Sequence, residues 1–476
     1  SCAPRWPGRK LPVAGDTVTI EAGKQIILDI SPPALGGLTI NGTLRFADTA
    51  DLELSTEWIM LHGELAIGTE AVPHKHKATI TLTNTVKDEQ VMGMGDRGIM
   101  ISGGTLNLHG DRTNTWTKLA ATAAAGSTSI QVLNATGWRV GDEIVLASTD
   151  FDPRQAERRS ISAINGNTIT LDRKLDHMHF GKVTFDVDQR GEVGLLTRNI
   201  KVQASADAEQ SFQGGHIMAM VTSRMYVEGV ELTRMGQNLT LARYPIHWHL
   251  VGDASGQYIG NAAIHDTYNR CVTVHGTHNL RVENNVTYNT VGHCFFMEDG
   301  IEHGNQFIRN LAMQTKCHTS KPCVPTNLAA AGESPSFDDR QAVRVNGQQS
   351  KDVLLPSDNT VSSFWITNPD NTYMFDRNSA ANNTFGVTGS SHQGKENPAD
   401  PASKTIESVF ANLTAYKNRN GGIWGRGEMH TFRNLKLADN AIGYTHASGN
   451  FGRDPYTSRV VDSLFVGETE NIGNPR

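Results

Sequence analysis

The chain has 476 residues, 38% of them hydrophobic, with 46 glycines and a formal net charge of −6. That apolar content is low for a globular enzyme yet above the disordered class, and no apolar run approaches the roughly 20 residues of a membrane-spanning helix. The charge is too modest to gather polyanions, so nucleic acid is not an expected partner and an acidic ligand must be held by a local basic patch.

Ser1 opens the chain where a translation product would carry Met, which suggests that a leader has been removed; no charged-then-apolar signal follows it. Residues 1–110 read as consecutive short strands. "DTVTIEAG", "QIILDI", "LGGLTINGTLRFA" and "KATITLT" are rich in Val, Ile, Leu and Thr and end in Gly, Asp or Asn turns. No stretch keeps a helical period over several turns. Residues 111–195 change character. "SISAINGNTITLDRKL" reads as a hairpin around an Asn-Gly-Asn turn, and the segment as a small β module or a set of insertions.

From 196 to 476 a quasi-repeat emerges. "RYPIHWHLV", "RCVTVHGTH" and "HCFFMEDGI" align so that His249, His275 and Glu298 share a column, with steps of 26 and 23 residues. Such intervals fit a solenoid, whose coils contact only their neighbours and so escape the usual domain-size limit. Several short strands and Asn-containing turns per interval point to a parallel β-helix. A helical solenoid is excluded by the cost of Gly, Asn and Thr in helix interiors.

The alignment also pairs Cys271 with Cys294. Neighbouring parallel strands lie about 4.8 Å apart, within disulfide range, so these two are either a disulfide rung or stacked buried thiols. The stack is favoured, because such positions point inward. Cys317 and Cys323 bracket a loop that a disulfide would close, which favours export. Cys2 is left over.

Alternation along a strand turns Ile246, Trp248, Val272, Val274, Phe295 and Met297 inward. His247, His249, Thr273, His275, Phe296 and Glu298 then face out. One such histidine is usually a surface residue or part of a hydrogen-bonded stack. A register-matched set with a carboxylate is different: it suits a divalent metal (zinc, manganese or calcium) or general acid–base work. His247, His249 and His275 are the candidate ligands, with His216 of "GGHIMAM" from the preceding coil. Glu298, Asp299 and His275 are the candidate catalytic groups. Asp253 and Asp266 are further carboxylates, since glycoside hydrolysis commonly needs two. Arg243 and Arg270 precede the first two aligned strands and suit substrate carboxylates, with Asp253 beside them. Trp248, Trp365 and Trp424 are aromatics on which a sugar could stack, Trp248 the weakest of them because it faces inward.

"STDFDPRQAE", "EVGLLTRNI", "GGHI", "YPIHWHLVGD", "IHDTYNRCVTVHGTHNL", "GHCFFMEDGIE" and "VSSFWITNP" occur in this order. Together they resemble the family of the cell-migration-inducing and hyaluronan-binding protein and the transmembrane cell-surface hyaluronidase. Residues 1–110 resemble the eight-glycine domain found there and in fibrocystin.

The resemblance implies an all-β chain: a right-handed parallel β-helix of the pectin-lyase-like kind with an eight-glycine domain stacked on it. It further implies a secreted or cell-surface location and degradation of hyaluronan or a related glycosaminoglycan, with an acidic polysaccharide as partner. The expected activity is endo-acting glycoside hydrolysis. A polysaccharide lyase or a non-catalytic carbohydrate-binding module are the alternatives. One departure stands out: the animal proteins carry an additional α/β domain before the "STDF" segment, and here "LNLHGDRTNTWTKLAATAAAG" runs directly into the next hairpin.

Overall fold

The computed structural model describes residues 11–298 and 302–316, and, beyond them, 344–345, 348–349, 362–367, 379–381, 384–388, 408–418, 422–426, 430–440, 442–447 and 458–471. Nearly all regular structure is β, and a parallel β-helix accounts for most of it. Contacts divide the chain into two units: residues 1–113 with 198–281, and residues 114–197 with 282–476.

In the first unit the chain visits three parallel sheets in turn. One contains Thr17–Ile20, Gly37–Ile40, Ile59–Leu61, Gly98–Ile101, His216–Ala219, Ile246–Asp253 and Val272–His278. A second runs from Gln25–Leu28 to Tyr258–Gly260, and a third from Leu52–Thr56 to Ala263–Thr267. Strands stay short because each must end at a corner. The alternating pattern sends every second side chain inward, as in Ile200–Ala204.

Register converts that alternation into ladders. Leu54, Ile80, Val202, Leu232 and Ile264 lie on successive coils as direct partners, and all are essentially excluded from solvent. Burying each such side chain contributes roughly 1.5–3 kcal/mol. The ladder therefore supplies the driving force that short isolated strands lack.

In the second unit, residues 114–197 form a six-stranded antiparallel sheet from Trp116–Lys118 to Ser129–Gln131. The Glu157–Asn165 and Thr168–Leu171 strands meet across a two-residue turn at Gly166, whose φ of +60° suits glycine. Val145, Ala147 and Leu196 of this sheet pack on Val286, Leu311 and Met313 of the coils. The coils again pair in parallel, with the Phe295 ring stacked on Phe364 at 4.9 Å. Corner asparagines join successive coils. Asn285 donates to Asn310 Oδ1 at 2.9 Å, and Asn310 in turn donates to the Val282 carbonyl. Asn418 and Asn440 repeat this arrangement. Each amide satisfies a buried backbone or side-chain group that would otherwise cost about 1–3 kcal/mol.

Some sequence expectations are corrected here. Cys271 and Cys294 are each disulfide-bonded, which corrects the favoured stack of buried thiols: each sulfur lies close enough to a partner sulfur to bond rather than only pack. Phe296, expected outward, is buried. Cys2, Cys317 and Cys323 lie outside the described residues. Among the described residues no helix is long and apolar enough to cross a membrane.

Candidate functional site

The aligned histidine strands are neighbours. Ile246 pairs with Val272, His247 with Thr273, Trp248 with Val274 and His249 with His275. Ile246, Trp248, Val272 and Val274 point inward and are fully buried, as alternation requires. Beyond His249 the register slips, and both strands turn left-handed: Leu250 has φ +56° and Gly276 φ +52°. This break leaves His249 and His275 half-exposed at the end of the regular ladder.

The two half-exposed imidazoles face each other, with Nδ1 to Nδ1 at 3.0 Å. The His247 ring lies 4.9 Å from His249 and stacks on His275 at 5.9 Å between centroids. One nitrogen from each of the three falls within 4.8 Å of the others. Nitrogen ligands at about 2.0–2.1 Å from a tetrahedral zinc stand about 3.4 Å apart, so small ring rotations would close the three onto one ion. The donor set fits a divalent transition metal.

His247 corrects the sequence expectation. It points away from the coil interior yet is fully buried, because the loop before it folds over its outer side. Its ring packs 5.0 Å from Tyr244, and its Nδ1 faces the Ala242 carbonyl at 3.4 Å. A proton held on Nδ1 makes Nε2 the basic nitrogen, the arrangement that orients metal-binding histidines elsewhere. Burial, reinforced by His249 and His275, holds the His247 pKa well below its ordinary value. The ring is therefore neutral at physiological pH, the form a metal requires.

His216 lies on the preceding strand, two residues before the position that pairs with His247. It is fully buried and hydrogen-bonded through Nε2 to the Asp96 carbonyl at 3.0 Å. Burial and the nearby Arg243 lower its pKa to about 3. Its Nδ1 is buried without a partner. It does not join the three clustered histidines among the described residues.

Arg243 lies on the backbone of Gly95: a Cβ added to that glycine would meet the Arg243 Nε at 2.5 Å. The side chain makes no hydrogen bond or ion pair among the described residues. Burial lowers its pKa, while Asp96 nearby opposes the shift. A half-buried guanidinium with unspent donors is a receptor for an anion. Arg270 is the contrary case and corrects the expectation. It is almost wholly buried, with its guanidinium 5.7 Å from the Tyr244 ring centroid. It props the ring that covers His247 and lies out of reach of a polymer.

Asp253 is the exposed last residue of its strand, past the register break, where it pairs with His278. Hydrogen bonds from Asn279 and Ser255 hold its carboxyl at about 2, so it is a turn-stabilising group and not part of the histidine cluster.

Asp266 belongs to a buried network on another sheet, where it bonds His265 Nδ1 at 2.7 Å. Glu231 takes His265 Nε2 at 3.3 Å and Lys201 at 2.7 Å. Burial opposes a charged His265, but its bonds to Asp266 and Glu231 outweigh it and raise its pKa. Burial likewise pushes Glu231 up, and its cationic partners bring it down to about 2.

A base raised in the folded state stabilises fully below its ordinary value of 6.5, and that stability fades as pH rises through the raised value. Glu231 contributes above 4.5 and loses its contribution as pH falls toward 2. Thermal melts are therefore expected to plateau between pH 4.5 and 6.5 and decline on both sides. In His265→Gln the alkaline decline attributable to this network should vanish.

Glu298 follows the Phe295–Met297 strand of the second unit and is half-buried. Trp365, also in that unit, is buried with His293 stacked on it at 4.1 Å, which corrects its expected role as a sugar platform. Asp299 and the Trp424 side chain lie outside the described residues.

Sequence reasoning missed Asp96 and Tyr244. Asp96 accepts a bond from Gln237 at 3.0 Å and presents its carbonyl to His216. Its only signal was a charged pair set among glycines in "MGMGDRGIM".

Residues 5–120 match the G8 domain model and residues 212–421 the CEMIP beta-helix model. Fibrocystin-L of Mus musculus is 36% identical over 80% of this chain and 9% of its own length. Cell surface hyaluronidase CEMIP2 of Homo sapiens is 30% identical over 71% of this chain and 30% of its own. Cell migration-inducing and hyaluronan-binding protein of Mus musculus is 31% identical over 71% and 31%. The chain thus spans under a third of each of these relatives. With a G8 domain ahead of a CEMIP β-helix, it belongs to the family of G8 and CEMIP β-helix proteins.

Proposed function

We propose that this chain is an extracellular polysaccharide-degrading protein that hydrolyses hyaluronan or a related acidic glycan within the chain, at the histidine cluster of its first unit. The observation that carries the reading is the register-matched His249–His275 pair closed by His247, with the open guanidinium of Arg243 in the same sheet region. The names of two relatives, a hyaluronidase and a hyaluronan-binding protein, supply the polymer class.

In this reading His247, His249 and His275 hold a divalent metal, which when bound would polarise a substrate oxygen and lower the pKa of water. Arg243 takes a uronate carboxylate through paired N–H bonds and fixes the sugar strand beside the cluster. Gly95 gives that side chain its bed, and Asp96 opposes the loss of charge that burial would bring. His247, neutral and walled by Tyr244, keeps water from one side of the cluster. His249 and His275, half-exposed, are the imidazoles that reach substrate.

Incubation with hyaluronan, chondroitin and heparan chains, read by size-exclusion chromatography alongside elemental analysis of the protein, tests this. Chain shortening with new reducing ends and about one metal per chain is the expected result. An ultraviolet-absorbing unsaturated uronate would mean elimination and overturn hydrolysis. Binding without shortening would make the chain a carbohydrate-binding module.

A further inference from the structure

The corners that join the first two sheets of the first unit stack on one another. They lie at residues 21–25, 41–43, 62–64 and 103–105, held in register by the strands on either side. Three spacings of about 4.8 Å make a column roughly 14 Å long. Each inner corner contains a glycine for a steric reason. A Cβ on Gly104 would meet the Leu61 carbonyl at 2.5 Å and that of Gly63 at 2.9 Å, and Gly42 and Gly63 are hemmed in by carbonyls of preceding corners in the same way. At these three positions the corners stack backbone on backbone, and a trough of about 450 Å³ runs along them.

The walls of the trough are polar and unspent. The side chains of Lys24, Gln25, Asn41, Thr43 and Thr105 make no hydrogen bond among the described residues. His62 uses only Nδ1, on the Ser102 carbonyl at 2.9 Å, which leaves Nε2 facing solvent. Glu64 is committed to Arg45 and Asn107, so the trough carries no concentrated charge. A volume near 450 Å³ lies in the range of small-molecule sites, but the apolar lining usual for drug-like ligands is missing.

Mixed amide, hydroxyl, imidazole and ammonium groups over an open backbone floor match a polyhydroxylated chain bound edge-on through many hydrogen bonds. A phosphate-rich ligand would need a cluster of cations, and a peptide side chain would need an apolar pocket. We propose that this trough is a second saccharide subsite, on the G8 domain, which holds a glycan strand apart from the histidine cluster. It rests on the reading that the chain handles polysaccharide.

The test uses the full chain carrying His275→Ala, titrated calorimetrically with hyaluronan oligosaccharides, and compares it with the same chain carrying K24A, Q25A and H62A as well. All three added positions are exposed, so the fold should be indifferent to them. Binding by the first protein, weakened about tenfold or more in the second, is the expected result. Ligand-induced protection of 24–25 and 62–64 from hydrogen exchange in the unsubstituted protein is the matching one. Equal affinities in the two variants, no protection at the corners, or binding that disappears with His275 alone would overturn the subsite and leave the proposed activity intact. Failure of the unsubstituted chain to bind any oligosaccharide would overturn both.

Discussion

Alanine at His275 is expected to abolish stoichiometric divalent-metal binding and to lower depolymerisation of hyaluronan by at least about 100-fold, since even residues that merely support metal ligands cost 10–100-fold when removed. His275 is the hinge of the cluster. It faces His249 at 3.0 Å and stacks on His247, so its loss separates the two remaining imidazoles from a third donor. The side chain is only half-buried, and the fold should tolerate the change with a small shift in melting temperature. Elemental analysis and chain-length assays on purified protein read the result. Unchanged metal content would remove the cluster from consideration as a metal site, and unchanged turnover would place the chemistry elsewhere.

Arg97→Ala should produce the largest loss of stability. The Arg97 guanidinium is almost wholly buried and clamps Asp207 through two bonds of 2.7 and 3.0 Å. It also donates to the carbonyls of Leu82, Gln213 and Ser205. Arg97→Ala would strand these acceptors over a region that must fold without water. About 3 kcal/mol is expected, toward the lower end for a broken buried pair because Asp207 is partly exposed. Urea denaturation followed by circular dichroism measures it, and an unchanged midpoint would contradict this role.

The β-helix was legible because its cause is periodic. Short β-branched runs ending in Gly, Asp and Asn bury one face only when stacked, and a 26-residue step sets His249 directly beside His275. The inward residues Ile246, Trp248, Val272 and Val274 followed from alternation alone. The motif segments then carried the family, later matched at residues 5–120 and 212–421.

What covers the outer face of a coil has no period. His247 reads as a surface residue until the loop carrying Ala242 and Tyr244 is seen to close over it. Arg243 and Arg270 read alike from sequence, each just ahead of an aligned strand. Folding leaves one with open donors on Gly95 and buries the other beneath Tyr244. Alternation of side chains is a property of the local backbone, so residue order was enough to set the coil, its register and the pairing of two histidines. The depth of the third histidine, the setting of the arginines and the place of Asp96 depend on contacts between segments far apart in the chain. Those are free-energy choices among many loop arrangements, made when the distant segments pack against one another.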